Sequence, residues 1–167
     1  MRLSYLLLVC VGKHPSDHDV NEFCSRFDLA LRHQEGNVLL FTNDPDDIIT
    51  VANGRGFVIG KLFRDRGPGQ QLKALSYDDE LAVMESGGRR LVDEFWGNFV
   101  AIAINQNAIN VVREPSGGLS CYWSENDSVI AFSSDAEILV DWGVVGRSVD
   151  WKSVSRFLYH HQLPSAR

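Results

Sequence analysis

Phe99-Val100-Ala101-Ile102-Ala103-Ile104, Asn105-Gln106-Asn107 and Ala108-Ile109-Asn110-Val111-Val112-Arg113 form the stretch that decides the fold. Two apolar runs rich in β-branched residues flank three turn-forming residues, which predicts an antiparallel hairpin. Toward the C-terminus, Ser120 to Trp123 and Val129 to Ser133 predict a second pair around Glu125-Asn126-Asp127. Ser134 and Glu137 have the spacing of a capping box for a helix over Ala136 to Trp142, and Asp150 caps a last helix over Trp151 to Tyr159. Toward the N-terminus, Ser76 with Asp79 opens a helical region that Gly87-Gly88 divides into two short helices or one bent one. Before it come three strands, Val38 to Thr42, Ile48 to Ala52 and Phe57 to Phe63, separated by Asn43-Asp44-Pro45-Asp46 and Asn53-Gly54-Arg55-Gly56. Arg64 to Gly69 reads as a loop.

The first segment, Ser4 to Val11, is continuously apolar, the mark of a strand covered on both faces. Ser16 or Asp17 then caps a helix. Val20, Phe23, Cys24, Phe27 and Leu31 recur at helical spacing, so the helix is expected to end near His33 to Gly36. His33 would sit at its C-terminus, where a cation complements the dipole. The order of strand, helix, strands, helices, strands and helix predicts an α+β layered domain. The plausible boundary is Gly143 to Arg147.

A length of 167 residues suits one core. A net charge of -6 disfavours binding to a phosphate backbone, so no nucleic-acid partner is expected. Cys10, Cys24 and Cys121 are odd in number and have no C-x-x-C spacing, against a disulfide framework or a zinc knuckle. Cytoplasm is the expected compartment. The run Tyr5 to Val11 is too short to span a bilayer, so no membrane partner is expected.

Three segments carry a resemblance. Trp96-Gly97-Asn98-Phe99-Val100-Ala101-Ile102 resembles the G-x-F-A-F segment of class II glutamine amidotransferase domains. Arg113-Glu114-Pro115-Ser116-Gly117-Gly118-Leu119-Ser120-Cys121-Tyr122-Trp123 resembles the R-D-x-x-G-x-x-P-L-Y-Y segment that follows it. Ala131-Phe132-Ser133-Ser134-Asp135-Ala136-Glu137-Ile138-Leu139 is similar to the F-A-S-E-x-K-A-L-L segment. Their order and spacing make the signal more specific than any one alone. Within the family, Pro115-Ser116-Gly117 is closest to asparagine-synthetase-like proteins that close the isopeptide ring of lasso peptides. Val149 to Leu158 resembles the opening of the family's synthetase domain.

The resemblance implies a four-layer αββα sandwich of the N-terminal-nucleophile hydrolase type. Residues 1–147 would be the glutaminase-like domain and 148–167 the start of a truncated asparagine-synthetase-like domain. It implies glutamine hydrolysis in the first domain and ATP-dependent adenylation of a carboxylate in the second. No cofactor is expected in this chain. ATP and Mg belong to the missing synthetase domain, and this chain by itself would form no amide bond. Implied partners are that synthetase domain and a precursor peptide, and a homodimer is compatible with them.

The family's nucleophile is a chain-terminal cysteine whose own α-amine serves as base. Here Met1 is followed by Arg2, whose size disfavours Met1 removal. Cys10 is the one nearby alternative, and its use would require residues 1–9 to be a propeptide. The family's N-G-E-x-Y-N segment falls on Ile59-Gly60-Lys61-Leu62-Phe63-Arg64. Ile59 lacks the donor that the family's Asn gives to the oxyanion, Gly60 keeps its N–H, and Lys61 replaces the acid that would pair with the glutamine ammonium. The expectation is a degenerate, non-catalytic glutaminase domain. The alternatives are an active glutaminase after processing at Cys10 and a free-standing interaction module.

Other motifs have plainer readings. Ser116-Gly117-Gly118-Leu119-Ser120 resembles a pyrophosphate loop, but that loop must lead into a helix N-terminus, and Cys121-Tyr122-Trp123 reads as strand. His14 with His18 and His160 with His161 read as surface residues. Asp44, Asp46 and Asp47 read as a turn, without metal-loop spacing. Gly54 and Gly56 lack the following helix of a dinucleotide fingerprint.

Overall fold

A computed structural model gives the architecture. It describes residues 3–12, 15–65, 69–105 and 108–159, without the side chains at 17–19. Met1, Arg2, His14, the His18 side chain, Gln106, Asn107, His160, His161 and the 163–167 tail lie outside the described residues, as do 66–68 of the expected loop.

Strand β1 (Tyr5–Cys10) is buried at every position. It lies between two antiparallel neighbours, β3 (Val38–Thr42) and β9 (Val129–Ser133). The registers align Leu7 with Leu40 on one side and with Phe132 on the other. Alternate side chains leave opposite faces of a strand. Leu6, Leu8 and Cys10 therefore join a cluster with Phe23, Ile138 and Leu139, while Tyr5, Leu7 and Val9 join another with Phe57, Ile59, Val100 and Ile102. The first cluster packs the sheet under α1 (Asp17–Phe27) and α4 (Ala136–Asp141). The second joins the two sheets face to face.

The five-stranded sheet has the order β2-β3-β1-β9-β8, with β2 at Ala30–Glu35 and β8 at Tyr122–Glu125. The four-stranded sheet has the order β4-β5-β6-β7, with β4 at Ile48–Val51, β5 at Gly56–Arg64, β6 at Phe95–Ile104 and β7 at Ile109–Arg113. The hairpin of the opening stretch is β6–β7, Ile102 opposite Val111. The outer face of the second sheet carries a third cluster, in which Val58, Leu62, Phe99 and Ala101 meet Val83 of α2 (Tyr77–Glu85) and Leu91 of α3 (Arg89–Glu94). The domain is thus α+β, with two antiparallel sheets and five helices among the described residues. None of these helices is long and apolar enough to cross a membrane.

The first helix is shorter than its apolar spacing predicts. It ends at Phe27, because Asp28 adopts a left-handed φ of 53° and the Leu29 N–H returns to the Cys24 carbonyl at 3.0 Å. The segment expected as its last turns is instead β2. Leu31 is part-exposed there, and β2 forms a hairpin with β3 whose tip is Gly36-Asn37, Glu35 lying opposite Val38. His33 is therefore not at a helix terminus; its ring packs edge-on against Phe57 at 5.0 Å. β2 is a polar edge strand held by backbone pairing, so it carries little hydrophobic period.

Two further differences have local causes. Asp135, not Ser134, caps α4, its Oδ1 accepting from the Glu137 N–H at 2.9 Å. The Ser134 hydroxyl oxygen accepts instead from the Tyr5 N–H at 3.1 Å, joining the helix entrance to β1. β8 starts two residues later than the expected Ser120 and includes Glu125, while Asn126 makes the turn by accepting from the N–H groups of Ser128 and Val129. By contrast, the Ser76 cap of α2 and the Asp150 cap of the last helix, α5 (Trp151–Tyr159), form as expected.

β5 and β6 approach each other through two glycines. A Cβ at Gly60 (φ +109°) would lie 2.2 Å from the Asn98 carbonyl oxygen, and one at Gly97 (φ +149°) 2.0 Å from that of Lys61. Neither backbone atom can move without breaking the ladder. Gly97→Ala and Gly60→Ala are each expected to cost at least about 2 kcal/mol. Urea unfolding should show this as a lower midpoint with an unchanged slope.

Candidate functional site

The space between the sheets is closed at its centre and opens beside the edge strands β7 and β8. There it widens into a cleft of about 880 Å³. Val9, Ile130 and Phe132 line it from one sheet, and Ile104, Ile109 and Val111 from the other. Four residues with chemistry of their own complete the wall: Arg113 on β7, Cys121 just before β8, and Trp123 and Glu125 on β8. This volume and mostly apolar lining are those of a small-molecule pocket.

Period-2 alternation explains why these side chains meet. Ile109, Val111 and Arg113 are spaced by two on β7, and Trp123 and Glu125 by two on β8, so each set shares a face. At the inner end of the cleft, the Tyr5 hydroxyl donates to the Ser120 carbonyl at 3.0 Å and lies beside the Cys121 thiol. Burial pushes the Cys121 thiol above its ordinary value, against the opposing pull of Tyr5 and the Arg113 cation. It pushes the Tyr5 phenol up more strongly. Both groups are protonated near neutrality, and neither is an activated nucleophile.

A second polar feature adjoins Arg113. Glu114 is buried, and its carboxylate accepts from the Gly118 N–H at 2.7 Å, the Ser116 hydroxyl at 2.7 Å and the Ser116 N–H at 2.8 Å. Desolvation raises its pKa, but these bonds and the Gly117 N–H outweigh it and hold the carboxyl below its ordinary value. The Ser116-Gly117-Gly118 amides thus bind an anion, which is the chain's own Glu114. The loop joins two strands, consistent with rejecting a pyrophosphate loop. Gly117 (φ +67°) also leaves room for Arg113, whose guanidinium nitrogen would be 3.1 Å from a Cβ there.

The residues singled out from the sequence lie elsewhere. Cys10 is buried on the face of β1 turned toward α1 and α4, and burial raises its thiol pKa. Ile59 is fully buried in the cluster between the sheets. Gly60 is the close-approach glycine of β5, and Lys61 next to it is exposed. None of the four lines the cleft. Across the ladder Lys61 faces Asn98 and Phe63 faces Trp96, whose rings stack at 4.4 Å. The Asp44 carboxylate accepts from the Asp46 N–H, and Asp47 accepts from Gln71, as in an ordinary turn. No group of three potential metal-binding side chains occurs among the described residues.

The cleft residues escaped sequence reasoning because the cleft is tertiary. Arg113, Cys121 and Trp123 belong to one motif-like segment, and Cys121 is also one of the three unpaired cysteines, but neither feature marks a cleft. Nothing local signals that β7 and β8 face each other across a gap. Compared with protein-family models, with curated proteins and with solved structures, the chain matches none.

Glu114→Gln should destabilise the protein by about 2 kcal/mol at pH 7, since an amide is a weaker acceptor for these donors. A depressed carboxylate pKa stabilises above the unfolded value, near pH 4.3, and that stability is lost as pH falls through the folded one. The gap between wild type and variant in urea midpoints should therefore be full at pH 7 and shrink below about pH 4.

Proposed function

We propose that the chain is a degenerate glutamine amidotransferase-like domain that does not hydrolyse glutamine. In this reading the two sheets and their outer helices are the four-layer αββα sandwich of the N-terminal-nucleophile hydrolase type. The domain supports an ATP-dependent, asparagine-synthetase-like amide-forming enzyme in the cytoplasm, with lasso peptide ring closure as the specific case. ATP and Mg act in the synthetase domain, which is its first partner, and a precursor peptide is the second.

The observation that carries the non-catalytic reading is the placement of Cys10. A nucleophile must reach both its base and the substrate carbonyl. The Cys10 thiol lies in an apolar cluster beneath two helices, with its pKa raised by burial. The positions matching the family's glutamine pocket add to this. Ile59 offers no donor and is enclosed between the sheets, and Lys61 brings a cation where an ammonium would bind.

Three features support the family reading. The resembling segments, all within residues 96–139, fall on β6, on the end of β7 with the Glu114 loop and the start of β8, and on β9 with α4. Glu114 stands at the acid position of the R-D-x-x-G segment and holds the loop that follows. Among the described residues Val144 is the last that is buried, and α5 buries none of its own. Trp151, Phe157, Leu158 and Tyr159 of α5 are all exposed, as suits a helix that opens the next domain.

The expected result is that purified protein releases no ammonia from millimolar glutamine. Cys10→Ser should leave that result and the intact mass pattern unchanged. Ammonia release by the unprocessed chain, or release that appears with loss of residues 1–9, would overturn the reading.

A further inference from the structure

The cleft beside β7 and β8 is not lined by the positions that match the family's glutamine pocket. Its distal end, at Val9 and Ile130, lies toward the C-terminal end of β1 and away from Lys61 and Asn98, while Arg113 at the other end is level with Val100 and Ile59. Its contents are also different. The walls are mainly aliphatic and aromatic side chains: Val9 and Phe132 belong to the buried cluster between the sheets, Ile104, Ile109 and Ile130 pack against it, and Val111 and Trp123 are exposed at the open side. Arg113 lines the cleft and makes no ion pair among the described residues. Its neighbour Glu114 is occupied by the 116–118 loop and does not neutralise it. Glu125 lines the cleft from β8, level with Ile130 and Val9.

We propose that this cleft binds an amphiphilic carboxylate, a molecule with an extended apolar body and one acidic head. The carboxylate pairs with the Arg113 guanidinium, whose planar fork matches its two oxygens. The body lies between Val111, Ile109 and Ile104 on one side and Phe132, Ile130 and Val9 on the other. Trp123 covers the open side. Length follows from the strand. Arg113 and Ile109 are four residues apart on β7, roughly 13 Å at 3.4 Å per residue, which suits a medium-chain fatty acid better than a short acid. Glu125 disfavours a second acidic group at the distal end, so a monocarboxylate is preferred to a dicarboxylate. Cys121 and Tyr5 are both protonated at the inner wall, so they close the site without attacking the ligand. The inference does not depend on the amidotransferase reading.

The test uses decanoate, below the concentration at which it forms micelles, with decanol as the neutral control. Calorimetric titration of the full chain should show saturable decanoate binding. Arg113→Gln should weaken it by about tenfold or more, the loss expected for a charge-assisted pair, and should leave decanol binding unchanged. Ile109→Trp fills the cleft from the other strand and should abolish binding of both, so the proposal does not rest on the folding of one variant. Trp123 emission should change on titration, and Trp123→Phe should remove that change. Absence of saturable decanoate binding would overturn the proposal, as would equal affinity for decanol or an Arg113→Gln variant that binds like wild type. If Ile109→Trp breaks up a dimer instead, the cleft belongs to a second copy of the chain and the proposal falls.

Discussion

The structure depends on β1 being buried on both faces and hydrogen-bonded along both edges. A six-residue strand with that much apolar surface is unstable alone, since each exposed aliphatic side chain forgoes about 1.5–3 kcal/mol of burial. Enclosure on one face requires α1 and α4, and on the other it requires the second sheet. The two edges recruit β3 and β9, segments from opposite halves of the chain. Polar side chains then fix the register at the strand's N-terminal end. Ser133 donates to the Tyr5 carbonyl, Ser134 accepts from the Tyr5 N–H, and Thr42 donates to the Ser4 carbonyl. At the other end, Asn37 donates to the Cys10 carbonyl. A shift by one residue would send Leu6, Leu8 and Cys10 into the wrong cluster and break all four.

The second sheet is set by a different constraint, the proximity of two backbones. Gly60 and Gly97 let β5 and β6 close on each other where side chains would hold them apart. Asn98, between Gly97 and Phe99, then reaches Gly118, which also lacks room for a Cβ beside the Asn98 amide. From there Glu114 gathers the 116–118 amides. A continuous line of short contacts thus runs from β5 through β6 to the loop that delivers Cys121 and β8 to the other sheet. The cleft is formed where that line ends and the two edge strands part.

How much was legible follows from where each signal resides. β1, β3, β5, β6 and β7 are apolar runs between turn residues, and they emerge near their expected bounds. The α+β class follows from their order. β2 was hidden because Leu31 extended the helical spacing of Val20 to Phe27 by chance, while the stop at Asp28 depends on a left-handed backbone at a residue that is not glycine. Ser134 was misassigned for a related reason: its hydroxyl suits either a helix cap or a strand N–H, and only the position of Tyr5 decides between them. Ile59, Gly60 and Lys61 are candidates through one linear motif, and Cys10 through its nearness to the N-terminus. The structure distributes them over an outer face, the inter-sheet core and an exposed strand end, whereas the cleft draws on side chains that no linear pattern connects.

Packing and function pull in opposite directions between these sheets. Where Leu7, Leu40, Ile59 and Val100 meet, the inter-sheet space is filled and nothing can enter. Toward β7 and β8 the same architecture opens into a cleft whose apolar lining stays partly exposed, as at Val111 and Trp123, and so forgoes the stability of burial. The neighbouring Glu114 loop shows that this region otherwise satisfies its polar groups closely. Arg113, exposed beside this cleft, makes no ion pair among the described residues. An occupant that supplies both a carboxylate for Arg113 and apolar contacts for the lining gains from both together, which a purely apolar molecule cannot do.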